Sequence, residues 1–178
     1  MLKTFAVIGA VLVVGIAVIL ILAAMKPDQF RVQRTAAIKA PPEKIFPMIN
    51  DFKAWTAWSP YENKDPAMQR TYGATTSGKG ATYAWEGNGQ VGAGNMLITD
   101  APAPSKVALD LNMTKPLSAN NKVEFTLVPA GDSTTVTWAM HGYTPYFAKI
   151  IHVFFNMDKM VGGDFESGLA KLKAQAER

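Results

Sequence analysis

Residues that could carry acid–base, metal or nucleophilic chemistry are few in this chain, and they do not cluster. The two histidines, His141 and His152, fall on different predicted elements, and no carboxylate or cysteine stands at metal-ligand spacing from either. The chain has no cysteine, and no serine stands in the context of a nucleophile elbow. The sequence therefore predicts no metal, no cofactor and no catalytic residue.

One glycine-rich segment, Gly87–Gly92, has the G-x-G-x-x-G spacing of a dinucleotide-binding turn. That turn needs a helix directly after it, because the helix N-terminus presents backbone amides to the phosphates. Ala93–Thr99 instead has the pattern of a strand. We therefore interpret the glycines as a β-hairpin with a bulge.

The distribution of charge argues against nucleic acid as a partner. Of 18 basic residues, Lys3 and Lys26 precede Pro27, which leaves 16 basic against 14 acidic residues in the rest of the chain. The domain is therefore nearly neutral, and its basic residues form no continuous run. The sequence pI of about 9.3 accordingly does not indicate a basic patch.

An apolar segment near the N-terminus, Phe5–Met25, has no charged residue. As a helix it would be about 31 Å long, roughly the hydrocarbon thickness of a bilayer. Lys3 and Lys26 flank it, as expected for side chains that reach the headgroups. We predict a single-pass transmembrane anchor over residues 1–26 and a folded domain over residues 27–178. The alternatives are a cleaved signal peptide, whose apolar region would be about 7–15 residues long, and a buried core helix.

The sequence does not determine on which side of the membrane the domain lies. Lys26, Arg31, Arg34 and Lys39 follow the apolar segment, and counting these charges would leave the domain in the cytoplasm. However, Arg31–Lys39 belongs to a predicted strand and is not free flanking charge. The absence of cysteine fits either compartment, and the sequence leaves the oligomeric state open.

Beyond the anchor, alternation of apolar and polar residues predicts a half-buried strand over Phe30–Ile38. Pro42 then fits the first turn of a short helix, which Pro47 shortens or bends. Turns about every 8–12 residues in the next part of the chain favour an antiparallel meander. Its strands are predicted over Met68–Thr75, Ala81–Glu86, Asn95–Thr99, Ser105–Met113, Lys122–Val128 and Thr134–Tyr143.

From Pro145 onward the apolar period becomes helical. The stripe Phe147–Met157 predicts one helix, Gly162–Gly163 interrupts it, and Asp164 fits the cap of a terminal helix. This terminal helix is the only element long enough to cover the apolar face of the sheet. The residues expected to face the sheet are Phe165, Leu169 and Leu172.

Several large apolar side chains share one face of the predicted sheet, and a packed core is the ordinary interpretation. The alternative is a core that does not close, which leaves an apolar cavity between the sheet and the terminal helix. The side chains in question are Tyr83, Trp85, Met113, Phe125, Trp138 and Met140.

The motifs along the chain resemble those of the START-like, helix-grip superfamily, in the branch of SRPBCC or polyketide cyclase/dehydrase-like proteins. Two of them are fairly specific together: IKAPPEKIF at Ile38–Phe46 and DFKAWTAWSP at Asp51–Pro60. Further segments that carry the resemblance are Tyr83–Asn88, Val91–Gly94, Val136–Met140 and Asp164–Leu169.

The resemblance implies an α+β fold in which a curved antiparallel sheet wraps around a long C-terminal helix, here preceded by one transmembrane helix. It implies binding or transport of apolar ligands more safely than catalysis, and the family has no shared catalytic set to transfer. In this topology the short helices after the first strand close one end of the sheet. Trp55 and Trp58 belong to this segment and are expected to lie against that end. Because Pro60 restricts the backbone before it, we predict Trp58 at the rim and Trp55 deeper.

These observations predict a membrane-tethered module that binds a hydrophobic small molecule or lipid. The alternatives are a cyclase/dehydrase-type enzyme, with His141, Glu86 and Tyr83 as candidate acids or bases, and an interaction domain with a closed core. The predicted cavity-lining residues are Trp55, Trp58, Tyr83, Trp85, Leu109, Leu111, Phe125, Trp138, Met140, Phe154 and Met157.

Overall fold

The computed structural model describes residues 2–178, apart from the side chains of residues 2, 3 and 6. Met1 and the Lys3 side chain, which belong to the predicted anchor, lie outside the described residues. The helices are α1 (Leu2–Ala24), α2 (Pro42–Asn50), α3 (Pro60–Lys64), α4 (Tyr146–Phe154) and α5 (Met157–Ala176), and a 3-10 helix spans Phe52–Ala57. The strands are β1 (Gln29–Ile38), β2 (Gln69–Tyr72), β3 (Thr82–Glu86), β4 (Ala93–Asp100), β5 (Lys106–Lys115), β6 (Ala119–Ala130) and β7 (Ser133–Tyr143).

The seven strands form one curved antiparallel sheet in the order β1-β7-β6-β5-β4-β3-β2. Strands β2 to β7 follow one another as the predicted meander, and the last strand, β7, pairs with the first strand, β1. The hairpin at Gly87–Gly92 is confirmed, since the Gly87 N–H donates to the Gly92 carbonyl at 2.9 Å and β4 follows directly. The α+β helix-grip fold expected from the sequence is therefore confirmed.

The helix α5 covers the inner face of this sheet, as the terminal helix was predicted to do. Phe165, Leu169 and Leu172 are 2%, 2% and 0% exposed. They pack with inward-facing residues of β6 and β7, such as Phe125 and Val136, in one core. The alternation read along each strand therefore identifies the buried face correctly.

The predicted break at Gly162–Gly163 is wrong, because α5 runs through both glycines. The helix begins at Met157, where the Asn156 side chain accepts a hydrogen bond from the Lys159 N–H at 3.0 Å. The stripe Phe147–Met157 is accordingly divided between α4 and α5.

The two glycines have different surroundings within α5. A Cβ at Gly162 would lie 2.0 Å from the guanidinium of Arg34, whereas a Cβ at Gly163 would meet nothing within 4 Å. That guanidinium pairs with Asp158 at 3.0 Å and with Glu166 at 2.5 Å across the same face of the helix. Gly162 thus lets β1 approach α5 closely.

The N-terminal helix α1 is long and apolar enough over Val7–Ala24 to cross a membrane, with a mean hydropathy of 3.2. A signal sequence or a core helix can have the same length and composition, but only 6% of this span is buried. The helix packs against α4, where the Tyr146 hydroxyl donates to the Leu20 carbonyl at 2.8 Å.

Candidate functional site

A cavity of about 240 Å³ lies between strands β3 to β7 and the first half of α5, beside the places where this helix contacts β1 and β7. Its lining includes Asn121 and Val123 at the start of β6, Met113 and Met140 near the ends of β5 and β7, and Val161 of α5. These strand ends lie together because the strands are antiparallel, with Asn121 paired to Gly142. The cavity therefore occupies one end of the sheet.

The opposite end of the sheet is closed. Leu127, Val136 and Leu172 are 2%, 0% and 0% exposed there, and Ala176 on the last turn of α5 is fully buried. The core is thus packed along part of α5 and open along the rest. Both interpretations of the apolar face are correct, each at one end.

Trp55 in the 3-10 helix and Trp58, the C-cap residue of that helix, are both fixed by hydrogen bonds to α2. The Trp55 Nε1–H donates to the Ile49 carbonyl and the Trp58 Nε1–H to the Met48 carbonyl, each at 2.8 Å. The two indole rings are 5.0 Å apart.

The predicted depths of these tryptophans are reversed in the structure. Trp55 lines the cavity, whereas Trp58 is 1% exposed and lies edge-on against Phe125 and Trp138, outside the cavity wall. The restriction imposed by Pro60 falls on Ser59, whose φ and ψ are −60° and 131°. Trp58 is one residue earlier, so its side chain turns inward instead of staying at the rim.

An aromatic wall crosses strand β3. Tyr83 stacks between Phe52 at 5.6 Å and Trp85 at 5.9 Å, measured between ring centroids. The Trp85 Nε1–H donates to the Val91 carbonyl at 3.0 Å, which ties the ring to the β3–β4 turn. A Cβ at Gly94 would lie 2.7 Å from the Trp85 ring, so a glycine is needed for that ring to cross β4.

The structure brings six of the eleven predicted lining residues together around the cavity and places five elsewhere. The six are Trp55, Tyr83, Trp85, Leu111, Trp138 and Met140. Trp58, Leu109 and Phe125 are in the closed core, at 1%, 1% and 0% exposed. Phe154 and Met157 line a separate groove of about 400 Å³ between the end of α1 and the α4–α5 junction.

Sequence reasoning missed the polar end of the cavity. Ser59, Tyr61 and Glu62 reach it from the turn before α3 and from α3 itself, and Gln90 from the β3–β4 turn. Their spacing carries no periodic signal, since they lie outside the alternating strands. Met96 and Val123, which were also missed, follow the same alternation as the predicted residues and could have been found by extending it.

The polar groups at this end are held in defined states. Glu62 accepts from the Arg70 guanidinium at 3.0 Å, and the pair raises the pKa of Arg70. Burial raises the pKa of both the Tyr61 and Tyr83 phenols above their usual value. Both tyrosines are therefore neutral hydrogen-bond donors across the physiological pH range.

One buried polar atom of a residue that lines the cavity has no hydrogen-bond partner. Trp138 stacks on Phe165 with ring centroids 4.0 Å apart, and its buried Nε1–H finds no acceptor among the described residues. A buried donor left without an acceptor costs about 1–3 kcal/mol.

The candidate acid–base residues of the enzyme alternative are not assembled. His141 is exposed and does not line the cavity, and Glu86 pairs with Lys115 at 2.6 Å on the outside of the sheet. Only Tyr83 faces the cavity. Within residues 2–178, apart from the side chains not described, no group of three His, Asp or Glu residues could hold a metal.

Comparison with solved structures gives many matches to this fold at low sequence identity. Protein CV1439 from Chromobacterium violaceum is 13% identical with a TM-score of 0.60, over 86% of this chain and 99% of its own. Aha1 from Colwellia psychrerythraea is 17% identical with a TM-score of 0.58, over 83% and 96%. DynU16, from the dynemicin biosynthetic locus, is 11% identical with a TM-score of 0.59, over 85% of this chain but only 48% of its own.

These likenesses show the fold alone, and the comparison with curated proteins gave no match. The family assignment comes from the sequence. The sequence model of one family, described as polyketide cyclase / dehydrase and lipid transport, matches residues 29–177. That range includes all seven strands and α2 to α5, and it leaves out α1, the link from α1 to β1, and Arg178. The chain therefore belongs to the polyketide cyclase / dehydrase and lipid transport family.

Proposed function

We propose that this protein is a membrane-tethered binding module that holds a small hydrophobic molecule, or part of a lipid, in the cavity between the sheet and α5. The observation that carries the proposal is the cavity itself. It is walled mainly by aromatic, methionine and valine side chains, with a few polar groups at one end. Such walls are typical of ligand sites that fix an apolar body and orient it by few hydrogen bonds.

The volume limits the size of the ligand. An apolar protein cavity of about 150 Å³ holds benzene. At 240 Å³, the present cavity accommodates a molecule of roughly ten non-hydrogen atoms on the same scale. A fused two-ring compound or the end of one acyl chain fits, whereas a complete two-chain phospholipid exceeds it.

The tether rests on α1. Its apolar span matches the thickness of a bilayer and is left uncovered by the domain, in contrast to a core helix. We propose that residues 1–26 anchor the chain and that residues 27–178 form the binding domain. Deleting residues 1–26 should release a folded domain from the membrane, with the far-UV circular dichroism of the full chain minus one helix. A truncated chain that is unfolded would place the domain boundary elsewhere.

Native mass spectrometry of the full chain, released from detergent-free particles of its own membrane, tests the binding proposal. We expect a bound species of low mass that survives desolvation and is removed by denaturation. A wild-type chain that keeps its fold and carries no such species would overturn the proposal.

A cyclase-type enzyme is the second candidate, and the polar end of the cavity favours it. Tyr61 and Tyr83 are neutral phenols beside the Glu62–Arg70 pair, so one of them could donate a hydrogen bond that polarises a bound carbonyl. Tyr83→Phe distinguishes the candidates, because it preserves the stacked ring and removes the hydrogen-bond donor. Loss of a turnover with unchanged ligand affinity would support catalysis, and loss of affinity alone would support binding.

A further inference from the structure

The exposed apolar surface of the domain is concentrated at one place. After Met25, nine large apolar side chains are exposed, and six of them lie between residues 143 and 160. We name these six the α4 patch: Tyr143, Tyr146, Phe147, Phe154, Phe155 and Met160. The other three, Leu97, Leu117 and Val128, are isolated in the sequence. A cluster of this kind on a folded domain marks an interaction surface.

The α4 patch lies beside the C-terminal end of α1. The Tyr146 hydroxyl bonds the Leu20 carbonyl at 2.8 Å, and Ala23, on the last turn of α1, is fully buried. Leu20 is four residues before the end of α1, a distance of about 6 Å along the helix axis. Amphipathic helices that lie on membranes bury their apolar face by about 5–10 Å. The patch is therefore at the depth at which α1 leaves the hydrocarbon.

The charges on α4 are neutralised on the protein side. The ammonium of Lys149, whose side chain is 8% exposed, pairs with the Asp28 carboxylate in the link after α1. Burial, assisted by the nearby charge of Lys26, lowers the pKa of His152, which keeps that imidazole neutral at neutral pH. The helix thus presents aromatic side chains without a net charge, the composition found at the boundary between lipid and water.

Strand register connects the α4 patch to the cavity. Tyr143 pairs with Gln29, close to the end of α1, and the preceding Gly142 pairs with the cavity residue Asn121. The closed end of the core, at Val136, is six residues before Gly142 on β7, a distance of roughly 20 Å. The cavity is therefore in the part of the domain nearest to α1 and α4.

We propose that α4 lies in the headgroup interface of the bilayer that α1 spans, and that it holds the cavity end of the sheet against the membrane. This inference rests on the anchor in the proposed function and adds the orientation of the domain. The bilayer interface is what covers the α4 patch, because α1 brings lipid to this face of the domain and to no other. A hydrophobic ligand dissolved in the bilayer would then reach the cavity without crossing bulk water.

Depth measurements on the full chain test this orientation. Because the chain has no cysteine, single-cysteine variants can carry one environment-sensitive fluorophore in vesicles of phosphatidylcholine. Phe147→Cys and Phe154→Cys report on the α4 patch. Val13→Cys, in the middle of α1, is the control for a deep position, and Val128→Cys, 56% exposed near the far end of β6, is the control for water.

We expect spin-labelled lipids to quench the fluorophore at residues 147 and 154, and aqueous iodide to quench it at residue 128 at least five times more strongly than at those two. Iodide quenching at residues 147 and 154 equal to that at residue 128 would overturn the inference, even if residue 13 is deep. Protection from both quenchers would also overturn it, since that result indicates a second copy or another protein on the patch. If residue 13 itself escapes lipid quenching, the anchor fails and the inference fails with it.

Discussion

Replacing Trp55 with phenylalanine should weaken ligand binding, whereas the same replacement at Trp58 should only destabilise the fold. Trp55 is part of the cavity wall, and Trp58 is behind it, 1% exposed. Each indole donates one hydrogen bond of 2.8 Å to a carbonyl of α2. The two sites are therefore closely matched in structure and differ in their access to the ligand.

The expected cost in stability can be worked out from these contacts. Losing one hydrogen bond costs about 1 kcal/mol. Aromatic side chains bury about 150–250 Å², so the step from Trp to Phe removes on the order of 50 Å². At about 25 cal/mol per Å² this area is worth about 1 kcal/mol. Each variant should therefore lose about 2 kcal/mol in the free energy of unfolding, measured by urea titration with circular dichroism.

Ligand affinity should separate the two variants. With a fused two-ring probe such as 2-naphthol, Trp55→Phe should raise the dissociation constant by roughly five-fold or more, about 1 kcal/mol, because the ring that contacts the ligand shrinks. Trp58→Phe should leave the dissociation constant within about two-fold of wild type. A larger effect at Trp58 than at Trp55 would refute the cavity geometry described here.

Three further outcomes follow from the helix α5 and the buried phenols. Leu169→Ala should lower the free energy of unfolding by about 2–5 kcal/mol in urea titration, since this side chain is 2% exposed; a cost below about 0.5 kcal/mol would contradict its packing. Gly163→Ala should stabilise α5 by about 0.5–1 kcal/mol, whereas Gly162→Ala should not, because only a Cβ at Gly162 would meet another side chain. Equal effects of the two substitutions in thermal melts would contradict this difference. Because burial raises the pKa of Tyr61, Tyr72 and Tyr83, the stability that their neutral phenols contribute should be complete below pH of about 10 and be lost above it. Ultraviolet titration should show three of the five phenols ionising late, and ionisation of all tyrosines near pH of about 10 would count against burial.

The strands could be predicted from the sequence because their alternation is local. In β6, Val123, Phe125 and Leu127 face inward as expected, although the strand extends from Ala119 to Ala130, beyond the predicted Lys122–Val128. The extra residues pair with β5 and β7 through the backbone. Backbone pairing does not depend on side-chain pattern, so the sequence underestimates the length of the strand.

The role of Gly162 could not be predicted locally. A pair of glycines in a helical pattern indicates a break, but the reason for Gly162 is a guanidinium from β1, far away in the sequence. Only the folded chain brings Arg34 to α5. The helix begins at Met157, and its N-cap is Asn156, a residue type that is common at this position. The boundary is hard to recognise in the sequence because apolar residues stand on both sides of Asn156.

The boundary between the cavity and the packed core could not be predicted from the sequence either. Leu109 and Leu111 lie on the same predicted face of β5, yet Leu109 is in the core and Leu111 lines the cavity. Their side chains have the same chemistry and the same parity along the strand. The difference is their position relative to α5 and the 3-10 helix, which is a property of the tertiary packing.

Filling the cavity tests the central claim most directly. Val123→Phe places a larger ring in the cavity wall, and Val128→Phe makes the same change on the exposed face of the same strand. Calorimetric titration of the full chain with 2-naphthol should show one site with a negative heat-capacity change in the wild type and in Val128→Phe. Val123→Phe should keep the fold by circular dichroism and lose at least ten-fold in affinity. Equal affinity in all three proteins, or no binding by the wild type, would contradict a ligand cavity between the sheet and α5.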